Sequence, residues 1–143
     1  VPREKLILGI GFYGRTTTGF DGKPDLHKAH SKTPDTEIFS PEEGTPSYFS
    51  ILQYQDQFDI KWDSTAQVPY MTGKTANTFV SYDDQVSVRL KAEHIIDEGV
   101  SGCLIWDCAQ DWVEAPIGSG QVRDTPLLNM INEVFYLENN FTR

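Results

Sequence analysis

The chain has 143 residues, 38% hydrophobic and 12% aromatic, which suits an ordinary globular protein with one domain's worth of core. Its formal charge of −9 argues against nucleic acid and against an anionic membrane surface, since both recruit Lys and Arg gathered on one face. No run approaches the ~18 apolar residues of a membrane helix, whereas a neutral or cationic ligand such as a sugar polymer is electrostatically permitted.

Residues 6 to 13 read as the first strand. Strand side chains alternate, so Leu6, Leu8, Ile10 and Phe12 share a greasy face, while Gly9, Gly11, Tyr13 and Arg15 share one that is bare until two polar groups at its end. That pattern suits a barrel strand with a packed outer face and a C-terminal end offered to a ligand. From Thr16 to Pro46 the periodicity disappears among Gly, Pro, Asp, Lys, Thr and Ser, predicting loops and short strands. Thr45-Pro46 reads as an N-cap and first helical position, with Tyr48, Ile51, Leu52 and Gln55 on the helix face. Three short β-rich runs follow, Ile60 to Asp63, Val68 to Met71 and Thr78 to Tyr82, forming a small antiparallel sheet. Ser87 is expected to cap a helix carrying Val88, Ala92, Ile95 and Ile96 at helical spacing, with Gly99 as its stop. Gly102 to Asp107 is a second buried strand, Ala115 to Asp124 a polar loop, and Thr125-Pro126 opens a last helix with Leu127, Met130, Ile131, Val134 and Phe135. No internal repeat is visible.

Several patterns have plain readings. Gly9-Ile-Gly-Phe-Tyr-Gly14 matches the G-x-G-x-x-G dinucleotide fingerprint, but that motif requires a helix to begin at once, and Arg15-Thr-Thr-Thr-Gly19 is a poor helix start. Asp56, Asp59 and Asp63 have the spacing of a solvated helix face and lack the Gly of a calcium loop. Cys103 and Cys108 make neither a disulfide framework nor a zinc site. Five positions apart on an extended segment they point to opposite faces, and they are expected as buried free thiols. No metal or cofactor is expected. Asn140-Phe-Thr142 is a glycosylation sequon that matters only in a eukaryotic secretory protein.

Taken together, the strand ending Gly-Phe-Tyr-Gly-Arg15, the insert with Gly44-Thr-Pro-Ser-Tyr48 and Val68-Pro-Tyr70, the run Val80-Ser-Tyr-Asp-Asp84 with Ser87 and Lys91, and Gly102-Cys-Leu-Ile-Trp106 closely resemble the C-terminal part of the family-18 glycoside hydrolases, the chitinases. The resemblance covers essentially the whole chain. It implies an α+β chain built as a partial (β/α)8 TIM barrel carrying an inserted small α+β domain. Residues 1–18 would be barrel strand seven, 19–82 the chitinase insertion domain, and 83–143 helix seven, strand eight and helix eight. It also implies that Tyr13 and Arg15 hydrogen-bond sugar groups and that Trp106 floors the reacting sugar, because a pyranose packs its C–H face on an indole and presents its polar edge to fixed donors. The ligands implied are chitin or N-acetylglucosamine oligosaccharides, and the location is extracellular. Without the resemblance, Trp106 reads by default as a core tryptophan, Tyr13 and Arg15 read also as a structural pair, and Asp83 and Asp84 read as helix caps rather than catalytic groups. Tyr70 and Trp62 either line the insert's side of the cleft or pack within it.

The family's strand-four signature, D-x-x-D-x-D-x-E, ends in the Glu that protonates the leaving oxygen, while its preceding Asp orients the substrate's own N-acetyl group. The nearest run here, Asp56 to Asp63, has Lys61 where an Asp is needed and Asp63 where the Glu belongs. A start at Val1-Pro-Arg without a Met or a secretory leader also reads as a cut piece. A barrel takes about 250 residues, so the chain is expected to be the tail of a longer enzyme. It should be inactive alone, with apolar strand edges that pair with the missing N-terminal barrel portion or a second chain. The runner-up is a chitinase-like lectin that binds without cleaving. Endo-acting N-glycan trimming enzymes of the family usually lack a large insert.

Overall fold

The computed structural model describes residues 1–141, with side-chain surroundings as far as Leu137. The sequon at Asn140 reaches outside the described residues. In chain order the elements are β1 (Leu8–Gly11), β2 (Arg15–Thr18), α1 (Tyr48–Tyr54), β3 (Phe58–Asp63), β4 (Val68–Gly73), β5 (Thr78–Ser81), α2 (Gln85–Asp97), β6 (Cys103–Trp106), β7 (Val113–Glu114), β8 (Val122–Asp124) and α3 (Pro126–Phe141). They fall into two compact units, one of Val1–Phe12 with Asp84–Arg143, the other of Tyr13–Asp83.

In the first unit β1 and β6 pair in parallel, Leu8 opposite Cys103 and Gly11 opposite Trp106. The ladder continues at both ends through Leu8 N–H to the Gly102 carbonyl and Phe12 N–H to the Trp106 carbonyl, each 3.0 Å. On the greasy face Ile10 and Phe12 are buried and Leu8 half-buried, but Leu6 precedes the strand and is exposed. Nothing lies within 4 Å of where a side chain on Gly9 would begin, so the opposite face is open there. α2 buries Val88, Ala92 and Ile95, packs against α3, and α3 buries Leu127, Ile131 and Val134.

The start of α2 corrects the cap. Asp84 is the N-cap and accepts from the Ser87 N–H at 2.9 Å, while the Ser87 hydroxyl meets the Asp84 N–H at 2.9 Å in a reciprocal capping box. Gly99, at φ +63°, ends the helix. Its N–H donates to the Ile96 carbonyl and that of Val100 to Ile95, the paired bonds of a Schellman motif. The polar loop after β6 contains a short hairpin of β7 and β8. Both cysteines are free, yet Cys103 is half-buried and Cys108 exposed, because β6 is only partly covered and Cys108 opens a surface 3-10 turn.

The second unit is a four-stranded antiparallel sheet in the order β2-β5-β4-β3. Opposed residues in such a sheet share a face. The row Thr16, Val80, Met71 and Ile60 therefore lies on the side where Phe58, Met71, Val80 and Thr78 are buried. Phe39 stacks on Phe58 and meets the edge of Tyr54. Residues 34–39 are tied down by the buried Asp35 carboxylate, which accepts from the Glu37 and Phe39 N–H groups and from the Thr78 hydroxyl at 2.7 Å.

α1 begins at Tyr48 with Ser47 as N-cap, its hydroxyl accepting from the Ser50 N–H at 3.2 Å. The expected cap at Thr45 fails because the Pro46 carbonyl accepts the Gly14 N–H at 2.7 Å and Ser47 forms a β-bridge with Tyr13, which keeps residues 46 and 47 extended. The three carboxylates do not form a helix face. Asp56 sits in a 3-10 turn, while Asp59 and Asp63 lie on β3, where Asp63 accepts from the Thr65 and Ala66 N–H groups of the following turn.

Candidate functional site

Trp106 ends β6, at the C-terminal edge of the parallel pair, and 66% of it is exposed in this chain. The turn after it is rigidly built. Asp107 accepts from the Ala109 and Gln110 N–H groups, and the Gln110 side chain accepts from the Asp107 N–H. Asp111 closes the turn fully buried, its two oxygens accepting from the Leu127 and Leu128 N–H groups at 3.1 and 2.9 Å. Burial pushes its carboxyl up to about 6, against the opposing pull of those two backbone donors. It joins the segment after the strand to the first turn of α3, where a carboxylate is favoured by the free N–H groups.

In the other unit, Arg15 of β2 stands opposite Ser81 of β5, Ser81 opposite Tyr70 of β4, and Tyr70 opposite Lys61 of β3. One row of the sheet thus carries guanidinium, hydroxyl, phenol and ammonium, on the side away from Met71 and Val80. Tyr13 is two residues before Arg15, and the Arg15 guanidinium carbon lies 5.3 Å from its ring centroid, a cation–π pairing that holds the planar donor fork in place. Gly14 between them allows the close approach, since a Cβ there would stand 2.8 Å from Ile51 Cδ1 and 3.1 Å from the Ser81 carbonyl oxygen.

Aromatic rings extend this face. Tyr70 stacks on Phe79 at 5.4 Å, Phe79 leans on Phe20 at 6.2 Å, and Phe20 stacks on His30 at 4.9 Å. Lys61 lies 5.8 Å from the Tyr70 ring centroid and 3.4 Å from Asp25. The Leu26 backbone N–H, and then Lys61, hold the Asp25 carboxyl below its ordinary value, so it is a poor proton donor at neutral pH. Trp62 is on the opposite side of β3, facing Pro69.

The structure therefore brings Arg15 and Tyr70 to one row of the sheet with Tyr13 against Arg15, places Trp106 in the other unit, and excludes Trp62 from the row. Ser81, Lys61, Phe79, Phe20 and His30 are additions to the residues singled out from sequence. Alternation along Thr78-Phe-Val-Ser81 puts Phe79 and Ser81 on one side, but their pairing with Arg15 and Tyr70 is a matter of register. Phe20 and His30 lie in an aperiodic stretch that gives no signal. Chemically, the row offers flat apolar rings beside fixed donors, which suits a ligand with one C–H face and one hydroxyl or amide edge. Among the described residues, no three His, Cys, Asp or Glu side chains cluster to hold a metal ion.

Residues 1–111 match the family model for glycosyl hydrolases family 18. The chain is 31% identical over 116 residues to chitinase A1 of Niallia circulans, covering 78% of this chain and 16% of that protein. To a probable endochitinase of Caenorhabditis elegans it is 29% identical over 139 residues, covering 92% and 21%. It thus spans about a fifth of the length of these relatives. Among solved structures, human YKL-39, described as a pseudo-chitinase with retained chitooligosaccharide binding properties, has the same fold over 94% of this chain and 36% of its own, at 23% identity and a TM-score of 0.79.

Proposed function

The chain belongs to the family-18 glycosyl hydrolases, and on that premise we propose that it forms one side of a cleft for β-1,4-linked N-acetylglucosamine polymers. In this reading β1 and β6 are strands seven and eight of a (β/α)8 barrel. Of residues 1–18, β1 belongs to the first of them while β2 already pairs into the sheet of the insertion domain at 19–82, and 83–143 supply the last helix-strand-helix. Tyr13, Arg15 and Tyr70 bind the sugar's polar edge and rings, and Trp106 supports the reacting sugar. The reaction is substrate-assisted hydrolysis with retention, its catalytic Glu coming from a segment outside these residues, so the chain alone is inactive. The extracellular setting rests on the relatives being chitinases.

The observation that carries the proposal is Trp106, a large indole exposed at the C-terminal end of a parallel strand, where barrel enzymes gather their ligand-binding groups. The barrel itself is supported by the bareness of the β1–β6 pair. Parallel sheets are normally covered on both faces, yet Ile7 and Leu104 are also exposed. The missing barrel strands, or failing them a second chain, would cover this surface.

Titration with N-acetylglucosamine tetramer, read by tryptophan fluorescence, tests the proposal. Trp106→Ala should abolish most of the change and weaken binding at least about tenfold, a loss of roughly 1.4 kcal/mol, while stability moves by no more than about 0.5 kcal/mol because the side chain is exposed. Equal binding by Trp106→Ala and the parent chain would refute the role of the indole.

A second reading, binding without hydrolysis, is favoured by the match to YKL-39. Both readings use the same sugar-binding groups and differ at the Glu. A protein carrying these residues that releases reducing ends from chitin is a hydrolase, and one that binds chitin without release is a lectin.

A further inference from the structure

Because Trp106 is largely exposed, packing fixes its indole weakly, and the ring's place depends on the chain before and after it. Before it, the β1–β6 ladder fixes the strand, with Gly11 opposite Trp106 and the Trp106 carbonyl accepting the Phe12 N–H. After it comes the turn of residues 107–111, which the fully buried Asp111 carboxylate joins to α3. We propose that Asp111 is a positioning residue for the Trp106 indole, pinning the 107–111 turn to the first turn of α3 so that the ring keeps its sugar-binding orientation. The inference rests on the sugar-binding reading above and adds to it a residue that touches no sugar.

Three observations carry it. First, the turn closes on itself from the residue next to the indole. The Asp107 carboxylate accepts from the Ala109 and Gln110 N–H groups, and the Gln110 side chain accepts from the Asp107 N–H, so a movement at Asp111 is passed back to Trp106. Second, the hold on α3 has two points. One Asp111 oxygen accepts from Leu127 at 3.1 Å and the other from Leu128 at 2.9 Å, which fixes direction as well as distance. Third, the partner is scaffold and not loop. Leu127 is itself fully buried, and α3 packs against α2, so the turn is supported from a packed helix pair, the kind of element that holds a site most precisely.

Capping alone does not account for the arrangement. A helix is ordinarily capped by the residue just before it, whereas Asp111 reaches Leu127 from 16 residues upstream, and what the distant cap adds is a tie to the segment that carries the indole. The two-point hold also needs the ionised carboxyl, because a protonated one keeps a single good acceptor oxygen and releases one N–H. Burial raises the proton affinity of Asp111 against the pull of the Leu128 and Leu127 N–H groups, and the charge of Asp124 on β8 adds to the rise. The first turn of α3, Pro126 to Asn129, carries no charged side chain, and Asp107 is the other acid of the turn itself.

Calorimetric titration of the 143-residue chain with N-acetylglucosamine tetramer, run as a double-mutant cycle at neutral pH, tests the proposal. Asp111→Asn should weaken binding about fivefold. In the Trp106→Ala background the same change should have no effect, because Asp111 acts through that indole. Gln110→Ala opens the partly exposed end of the turn and should repeat the pattern, which keeps the test valid if Asp111→Asn folds poorly. As pH falls through about 6, the parent's affinity should drop to that of Asp111→Asn while the fold gains stability from the same proton, an opposition that a merely structural role would not produce. A folded Asp111→Asn, or failing it Gln110→Ala, that binds as tightly as the parent, or that loses the same factor with and without Trp106, overturns the positioning role and leaves the Trp106 reading standing. Equal binding by the parent and Trp106→Ala, or no binding by the parent, overturns both.

Discussion

Replacing Asp111 by alanine should destabilise the first unit by about 2–4 kcal/mol. The figure follows from its surroundings: the side chain is fully buried, and its loss leaves the Leu127 and Leu128 N–H groups at the start of α3 without acceptors. An orphaned buried donor costs about 1–3 kcal/mol and a lost helix cap about 0.5–2. The same residue should leave a signature in pH. Its carboxyl titrates near 6 in the folded chain against an ordinary 3.8, so between these values the folded state holds more protons than the unfolded one. Stability from this group therefore falls as pH rises from about 4 to about 6. The fall is at most about 3 kcal/mol, at 1.36 kcal/mol per pH unit between 3.8 and about 6. Asp111→Asn cannot titrate. Urea unfolding followed by circular dichroism at several pH values, taken as parent minus Asp111→Asn, should show a difference that declines across that window and is flat above pH 7. A difference that is constant across the window, or that rises with pH, would refute the argument that burial outweighs the two backbone donors.

Two further predictions concern the other unit. Gly14→Ala should destabilise it by about 1–3 kcal/mol in thermal unfolding, because the new methyl meets Ile51 Cδ1 and the Ser81 carbonyl at distances that force a shift. Asp35→Ala should cost about 2–3 kcal/mol and raise amide hydrogen exchange at Glu37 and Phe39, whose N–H groups lose their acceptor.

How much the sequence reveals depends on how local the cause is. β1, β6 and α2 are legible because their patterns are self-contained: apolar runs beside Gly, and Val88, Ala92 and Ile95 at helical spacing with Gly99 as the stop. The strand at Arg15–Thr18 also removes the helix that a nucleotide fingerprint needs. The start of α1 misleads because Thr45-Pro46 has good local chemistry, and only the distant Gly14 N–H decides against it. Similarly, the row of Arg15, Ser81, Tyr70 and Lys61 comes from cross-strand register, which alternation alone cannot set. The Phe20–His30 stack lies deepest of all. Phe20 is held by Asn77 across a separation of 57 residues, and Asp35 reaches Thr78 across 43, so nothing near Phe20 or His30 in sequence announces their place.

Binding of N-acetylglucosamine chains at Trp106 and at Tyr13, Arg15 and Tyr70 is the core of the proposed function. It is tested most directly by NMR titration of the isotope-labelled chain with the tetramer, using the three indole N–H signals as built-in controls. The Trp106 indole and the amides of Tyr13, Arg15 and Tyr70 should shift in a saturable way, while the Trp62 and Trp112 indoles stay in place. Saturable shifts at Trp62 or Trp112 with Trp106 unmoved, or no shift at any residue at millimolar tetramer, would contradict it.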